Sequence, residues 1–228
     1  MESSALLIDF GGTLDADGDP WVDRFYAGYR RAGGGMDRVA FGTAFARSDA
    51  ELATLPGIAG FDYSTTVAAQ GHLLAGLLPD GACLRKARVM LDFVAAARAV
   101  AVRNREVLLA LSSGFRLAVV SNYQGNLQPC LDELGLGDLF DVVTDSEVAG
   151  ARKPDRRIFD ITLARLGCDP EASWMIGDSP PNDIAAAAAL GMRTCWVAPA
   201  ARAELGTAPT ARVTGLDQLP GVLAACTV

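Results

Sequence analysis

One histidine, His72, stands in 228 residues. That scarcity argues against a histidine-rich zinc site and against a nucleophile–histidine triad. The five cysteines, Cys83, Cys130, Cys168, Cys195 and Cys226, are an odd set with no C-x-x-C pair. They read as core thiols in a reducing compartment. No apolar stretch reaches the ~18 residues of a membrane span. The short N-terminal apolar run has no basic region before it, so a signal peptide is not expected. Basic residues are also in deficit, with 20 Lys and Arg against 27 Asp and Glu, a net charge of −7. This speaks against non-specific nucleic-acid binding, though a local field can still attract an anionic substrate. The expectation is a soluble, cytoplasmic protein with no membrane and no nucleic-acid partner. Any chemistry falls to carboxylates, hydroxyls and a lysine.

What is present is a large apolar fraction, 50% of the chain, enough for a sizeable core. From residue 106 onward, helical and strand-like segments alternate. "EVLLALSSG" reads as a helix ending at Gly114, "FRLAVVSN" as a buried strand and "LQPCLDELGL" as a helix. "FDVVTDSEV" follows as a strand. "PDRRIFDITLARLG" is then an amphipathic helix with Pro154 in its first turn and Gly167 at its end. "SWMIGDS", "NDIAAAAALG" and "RTCWVAP" continue the alternation, and "SALLIDF" is a further strand at the start. Apolar strands separated by helices predict a parallel sheet covered on both faces. Between residues 15 and 100 the strand signals vanish and the segments read as helices. The predicted fold class is therefore α/β, a Rossmann-like doubly wound parallel sheet with an inserted α-helical cap. The core would take residues 1–14 and 105–228, and the cap 15–104.

Ligands of open parallel sheets bind beyond the carboxyl ends of the strands. The residues expected there are Asp9, Gly11, Gly12 and Thr13, then Ser121 and Asn122, then Lys153, then Asp178 with Asp183 just beyond. Carboxylates, hydroxyls and a lysine converging on one edge suit phosphoryl transfer, which needs a nucleophile, a hard cation and donors around the oxygens.

Four short motifs in order carry a resemblance. Asp9-Phe10-Gly11-Gly12-Thr13-Leu14, Ser121, Lys153-Pro154-Asp155, and Gly177-Asp178-Ser179 with Asn182-Asp183 resemble the motifs of the haloacid dehalogenase superfamily, subfamily I with a helical cap. The resemblance implies a phosphatase-type hydrolase acting on a small phosphorylated molecule, with Asp9 as nucleophile. It implies Mg²⁺ held by Asp9, the backbone carbonyl of Gly11, Asp178 and Asp183. Thr13, Ser121 and Lys153 would hold phosphate oxygens, with Phe10, Gly11, Gly12 and Asn122 completing the phosphate cradle. The two glycines would let backbone N–H groups approach the phosphate.

One position departs from the pattern. Phosphatases of the superfamily carry an aspartate two residues after the nucleophile as general acid and base, and here that residue is Gly11. General acid–base catalysis contributes ~10²–10⁴-fold, or roughly 2.7–5.4 kcal/mol of barrier. Four readings stand open. The enzyme acts on phosphates with good leaving groups; another carboxylate substitutes; the chain is a phosphate-binding pseudoenzyme; or it performs another superfamily reaction. That last reading covers 2-haloacid dehalogenation, and phosphonate cleavage, which would need Lys86 as a Schiff-base lysine. Asp15, Asp17 and Asp19 read as solvated turn residues, with Asp15 also weighed as a substitute acid. His72, and Trp21, Phe25, Tyr26 and Tyr29 at helical spacing, read as structural.

Overall fold

The computed structural model describes residues 4–86, 89–203 and 206–226; the side chain of Lys86 lies outside the described residues. Six strands form one all-parallel sheet in the order β3-β2-β1-β4-β5-β6. They are β1 Ala5–Ile8, β2 Arg116–Ser121, β3 Val142–Asp145, β4 Ser173–Gly177, β5 Arg193–Val197 and β6 Ala211–Val213. β6 was not foreseen: three residues at a sheet edge carry too little pattern. β3 is shorter than expected, because Ser146–Ala149 turns into a short helix under the Asp145 cap.

The sheet is apolar on both faces, and its alternation sorts the side chains into two cores. Leu6, Ile8, Leu117, Val119, Trp174, Ile176, Cys195 and Val197 share one core. Ala5, Leu7, Ala118, Val120 and Met175 share the other. The helices are α1 Trp21–Arg31, α2 Arg38–Leu52, α3 Tyr63–Leu77, α4 Ala82–Lys86, α5 Val89–Leu111, α6 Leu127–Glu133, α7 Ser146–Ala149, α8 Arg156–Leu166, α9 Ala186–Ala188 and α10 Leu219–Ala225. α8 covers the second core with Ile158, Phe159, Leu163 and Leu166. The first core runs from the sheet through Phe10 and Leu14 into Phe25, Tyr29, Phe41 and Tyr63 of the helices that follow β1.

α1 to α5 all fall between β1 and β2 in the chain. Asp37 and Asp62 set the starts of α2 and α3 by accepting backbone N–H groups of the first turn. α5 runs unbroken across the boundary expected at 104/105. Its buried residues Phe93, Ala97, Ala101, Asn104, Leu108 and Leu111 recur at three or four, so one stripe faces inward along its whole length. Asn104 donates from Nδ2 to the Leu14 carbonyl at 3.0 Å, tying α5 to the turn after β1. Pro154 lies ahead of α8 rather than in its first turn: Asp155 is the cap, accepting from the Arg157 N–H, and Gly167 ends the helix in the left-handed region.

β1 is central, and the chain leaves it toward β2 and β3 on one side before crossing to β4, β5 and β6 on the other. The reversal leaves a crevice at the carboxyl ends around β1, where ligands of such sheets bind. Leu7 lies between Ala118 and Met175 in this centre and is fully buried. Leu7→Ala should cost about 2–5 kcal/mol of unfolding free energy, read as a lower urea midpoint with an unchanged slope.

Candidate active site

β1 ends at Ile8, and Asp9 follows with its N–H on the Ile176 carbonyl of β4 at 2.9 Å. Its carboxylate receives two hydrogen bonds, both on Oδ1: Ser121 Oγ at 3.0 Å and Lys153 Nζ at 2.6 Å. Oδ2 accepts none from the described residues, so the carboxylate's rotation is set while one oxygen stays unengaged. Lys153 also donates to Asp183 Oδ1 at 2.6 Å. The other Asp183 oxygen accepts from the Ser179 N–H at 2.9 Å. Asp9, Asp178 and Asp183 can each present an oxygen within 4.8 Å of the others, and all three are buried. The structure thus brings Asp9, Ser121, Lys153, Asp178 and Asp183 together from four separate segments.

The remaining predicted residues are placed differently. Thr13 is fully buried and turns its hydroxyl to Asp178 Oδ1 at 3.3 Å, orienting that carboxylate. Asn122 grips the Lys153 backbone in both directions, donating to its carbonyl at 2.9 Å and accepting its N–H at 2.8 Å. The Phe10 ring is core, edge-on to Tyr63 and Tyr123. Gly12 has φ +95°, and a Cβ there would lie 2.8 Å from Asp178 Oδ2, so only glycine lets the loop pass that carboxylate. Its N–H, expected to face phosphate, goes instead to Asp15 Oδ1 at 2.7 Å.

Asp15 corrects the reading of a solvated turn. It is fully buried. Besides Gly12 it accepts from Trp21 Nε1 at 2.7 Å, Arg24 at 2.9 Å and the Tyr63 hydroxyl at 2.5 Å. A short D-x-D-x-D run gives no sign that its first carboxylate turns inward to a distant tyrosine. The expectation of solvent holds best for Asp19, which is exposed, while Asp17 is half-buried and pairs with Arg103. The network holds the Trp21 indole beside Gly11, where a Cβ would sit 3.4 Å from Nε1. Trp21 therefore does both: it packs on the core, edge-on to Tyr63 and Phe93, and also walls the site, because it opens α1 next to the turn. Phe25 and Tyr29 are buried as expected, whereas His72 is on the exposed face of α3.

A cavity of about 370 Å³ opens above these groups. Its lining also includes residues that the sequence did not point to: Phe45 and Asp49 of α2, Gln124 and Arg202. The available signal was the i, i+4 spacing of Phe45 and Asp49, which puts both on one helix face.

Burial and the repulsion of neighbouring carboxylates raise the proton affinity of Asp178 and Asp183. Desolvation, then Asp9 and Asp183, push Asp178 well above the ordinary carboxyl range. Burial pushes Asp183 up to about 6, with Lys153 opposing and Asp9 assisting. Burial alone would lower Lys153, but Asp183 and Asp9 outweigh it and hold the ammonium above its ordinary value. Three carboxylates and one ammonium leave two formal negative charges among oxygen donors, with no histidine or cysteine on the cavity wall. That donor set fits a hard divalent cation such as Mg²⁺.

The family model of haloacid dehalogenase-like hydrolases matches residues 4–191. The chain belongs to this family. Among haloacid dehalogenase-like relatives, the domain-containing protein 3 of Bos taurus is 44% identical over 85 residues, 37% of this chain and 34% of that protein. The pyrimidine 5′-nucleotidase YjjG of Escherichia coli is 34% identical over 121 residues, 51% of this chain and 53% of that protein. A glyceraldehyde 3-phosphate phosphatase of Methanothermobacter thermautotrophicus is 43% identical over 87 residues, 38% of each chain. The matched part is about a third to a half of the length of these curated relatives. Two solved structures share the haloacid dehalogenase-like fold over nearly the whole chain. A phosphatase from Thermococcus onnurineus has TM-score 0.56 and 22% identity, covering 96% of this chain and 97% of its own. The L-2-haloacid dehalogenase of Xanthobacter autotrophicus has TM-score 0.60 and 20% identity, covering 98% and 99%. No helix among the described residues is long and apolar enough to cross a membrane.

Two outcomes follow for this haloacid dehalogenase-like site. Asp15→Ala takes the carboxylate from Arg24 and from three further donors, the Gly12 N–H, Trp21 Nε1 and the Tyr63 hydroxyl, so unfolding free energy should fall by about 3–5 kcal/mol in a denaturant titration. The folded-state value of Asp183 lies above its ordinary 3.8, so its proton stabilises the fold at low pH, and that contribution is lost as pH rises through about 6. Protons and a cation compete for the same oxygens. Mg²⁺ should therefore raise the melting temperature more at pH 7.5 than at pH 5, as a thermal-shift series would record.

Proposed function

We propose that this haloacid dehalogenase-like hydrolase cleaves small phosphomonoesters, with a divalent cation and Asp9 as nucleophile. One observation carries the reading. The Asp9 carboxylate, held by Lys153 and Ser121, shares a buried cluster with Asp178 and Asp183 at the mouth of a single cavity. A carboxylate attacks an anionic phosphate poorly unless positive charge offsets the repulsion. Lys153 supplies one such charge at Asp9 itself.

In this reading Asp9, Asp178, Asp183 and the Gly11 carbonyl would hold Mg²⁺, which would supply positive charge against the phosphoryl oxygens. Thr13 fixes the Asp178 carboxylate through its hydroxyl, and Asn122 fixes the Lys153 backbone. Lys153 and Ser121 donate toward phosphate oxygens as charge develops there. Asp9 displaces the alcohol to give an aspartyl-phosphate, and water then hydrolyses that acyl phosphate to regenerate Asp9. The relatives named as a nucleotidase and a glyceraldehyde 3-phosphate phosphatase support a small phosphorylated metabolite as substrate.

An aryl phosphate such as p-nitrophenyl phosphate should be hydrolysed with Mg²⁺ and not in chelator. Asp9→Asn should reduce release to background, since the amide is a far weaker nucleophile. Unchanged turnover in Asp9→Asn would remove Asp9 from the mechanism. Chloride release from 2-chloropropionate in chelator, with no phosphate release from any ester, would replace this reading by dehalogenation at carbon.

A further inference from the structure

Glycine at position 11 leaves the turn after Asp9 without a carboxyl group, and the neighbouring space is walled by the Trp21 indole. Trp21 cannot serve as the acid: its Nε1–H is given to Asp15. Asp15 cannot either, since it is fully buried and holds four donors. Expulsion of an alkoxide nevertheless needs a proton.

The other titratable groups on the cavity wall can be taken in turn. Asp9 is the nucleophile, while Asp178 and Asp183 belong to the cation cluster with Lys153 beside them. The Tyr123 hydroxyl is spent on Cys130 Sγ at 3.4 Å, and burial pushes its ionisation well above the ordinary range. Arg202 is committed to the Gly18 carbonyl and Asp23. Asp49 is left. It lines the cavity from α2.

Its surroundings suit a proton carrier. Gln124 Nε2 donates to Oδ1 at 2.9 Å and steadies the carboxyl group, while Oδ2 accepts no hydrogen bond from the described residues. The Gln124 Oε1 is itself buried without a partner among the described residues, an acceptor that a substrate hydroxyl could meet. Burial favours the protonated form of Asp49, opposed by Arg152 and by the Gln124 bond.

We infer that Asp49 is the general acid and base of the reaction, standing in from the helical insertion for the carboxyl group that Gly11 lacks. The inference rests on the phosphomonoesterase reading above. In the first step an Asp9 oxygen bonds to phosphorus as the phosphorus–alkoxide bond breaks, and the departing oxygen takes the Asp49 proton. In the second, a water oxygen bonds to phosphorus as the bond from the Asp9 oxygen to phosphorus breaks, the water proton passes to Asp49, and inorganic phosphate leaves, which restores the starting state.

A general acid matters in proportion to the basicity of the leaving group, and a packing residue does not. The test compares Asp49→Asn with the parent enzyme on p-nitrophenyl phosphate and on an alkyl ester such as glycerol phosphate, both with Mg²⁺. The alkyl ester should lose roughly 10²–10⁴-fold in kcat/KM, while the aryl ester should change less than about tenfold, since kcat/KM reads phosphoryl transfer to Asp9 and not the water step that both esters share. Asp49→Ala, which leaves no amide in the cavity, should show the same split. An aryl kcat/KM within about tenfold of the parent value reports that the variant is folded. Equal losses of kcat/KM on both esters in both variants, or no loss of kcat/KM on the alkyl ester, would overturn the role of Asp49. A parent enzyme that cleaves only the aryl ester would also overturn it. A parent enzyme that cleaves neither would instead overturn the phosphomonoesterase reading.

Discussion

The site depends on one buried ammonium. Lys153 Nζ bonds Asp9 and Asp183 at 2.6 Å each, with almost no exposure of the three side chains. Desolvating three neighbouring carboxylates is costly, and without an internal cation their charges would push the segments apart or force protonation. Lys153 lets Asp9, Asp178 and Asp183 share one small volume, and the residual negative charge is what a divalent ion would complete. The supports of this lysine are correspondingly specific. Asn122, at the end of β2, holds the lysine's own peptide groups in both directions.

A second constraint joins the nucleophile's loop to the helical insertion. Asp15 draws the Gly12 N–H, Trp21, Arg24 and Tyr63 onto one carboxylate, so the turn after β1, α1 and α3 are held at a common point. The wall over Gly11 is therefore not an incidental consequence of missing side-chain bulk. It is an indole positioned by a buried charge. The cavity beside Asp9 takes part of its lining, Phe45 and Asp49, from α2 of the same insertion.

Much of the fold was legible because its signals are local. Apolar runs such as Leu6-Leu7-Ile8 and Ala118-Val119-Val120 can only be strands buried on both faces, and the helices between them impose parallel order. β6 and the short α7 escaped because three or four residues carry no period. The line between core and insertion fell inside α5 because its inward stripe never breaks. At the site, Asp9, Ser121, Lys153 and Asp178 could be named because each follows an apolar strand or sits at a helix start. Thr13, Asn122 and Phe10 were assigned to phosphate, yet their side chains orient Asp178, hold Lys153 and fill the core.

The sequence by itself determined the α/β alternation, the placing of a helical insertion after the first strand, and the supply of acidic, hydroxyl and lysine groups to one sheet edge. These follow from hydrophobic period and from the rule that strand ends meet at the crevice. Only the tertiary structure decided that Asp15 is buried, that Trp21 walls the site and that Asp49 faces it. Those facts depend on contacts between residues tens of positions apart, where burial and hydrogen-bond partners come from other elements and no local pattern encodes them.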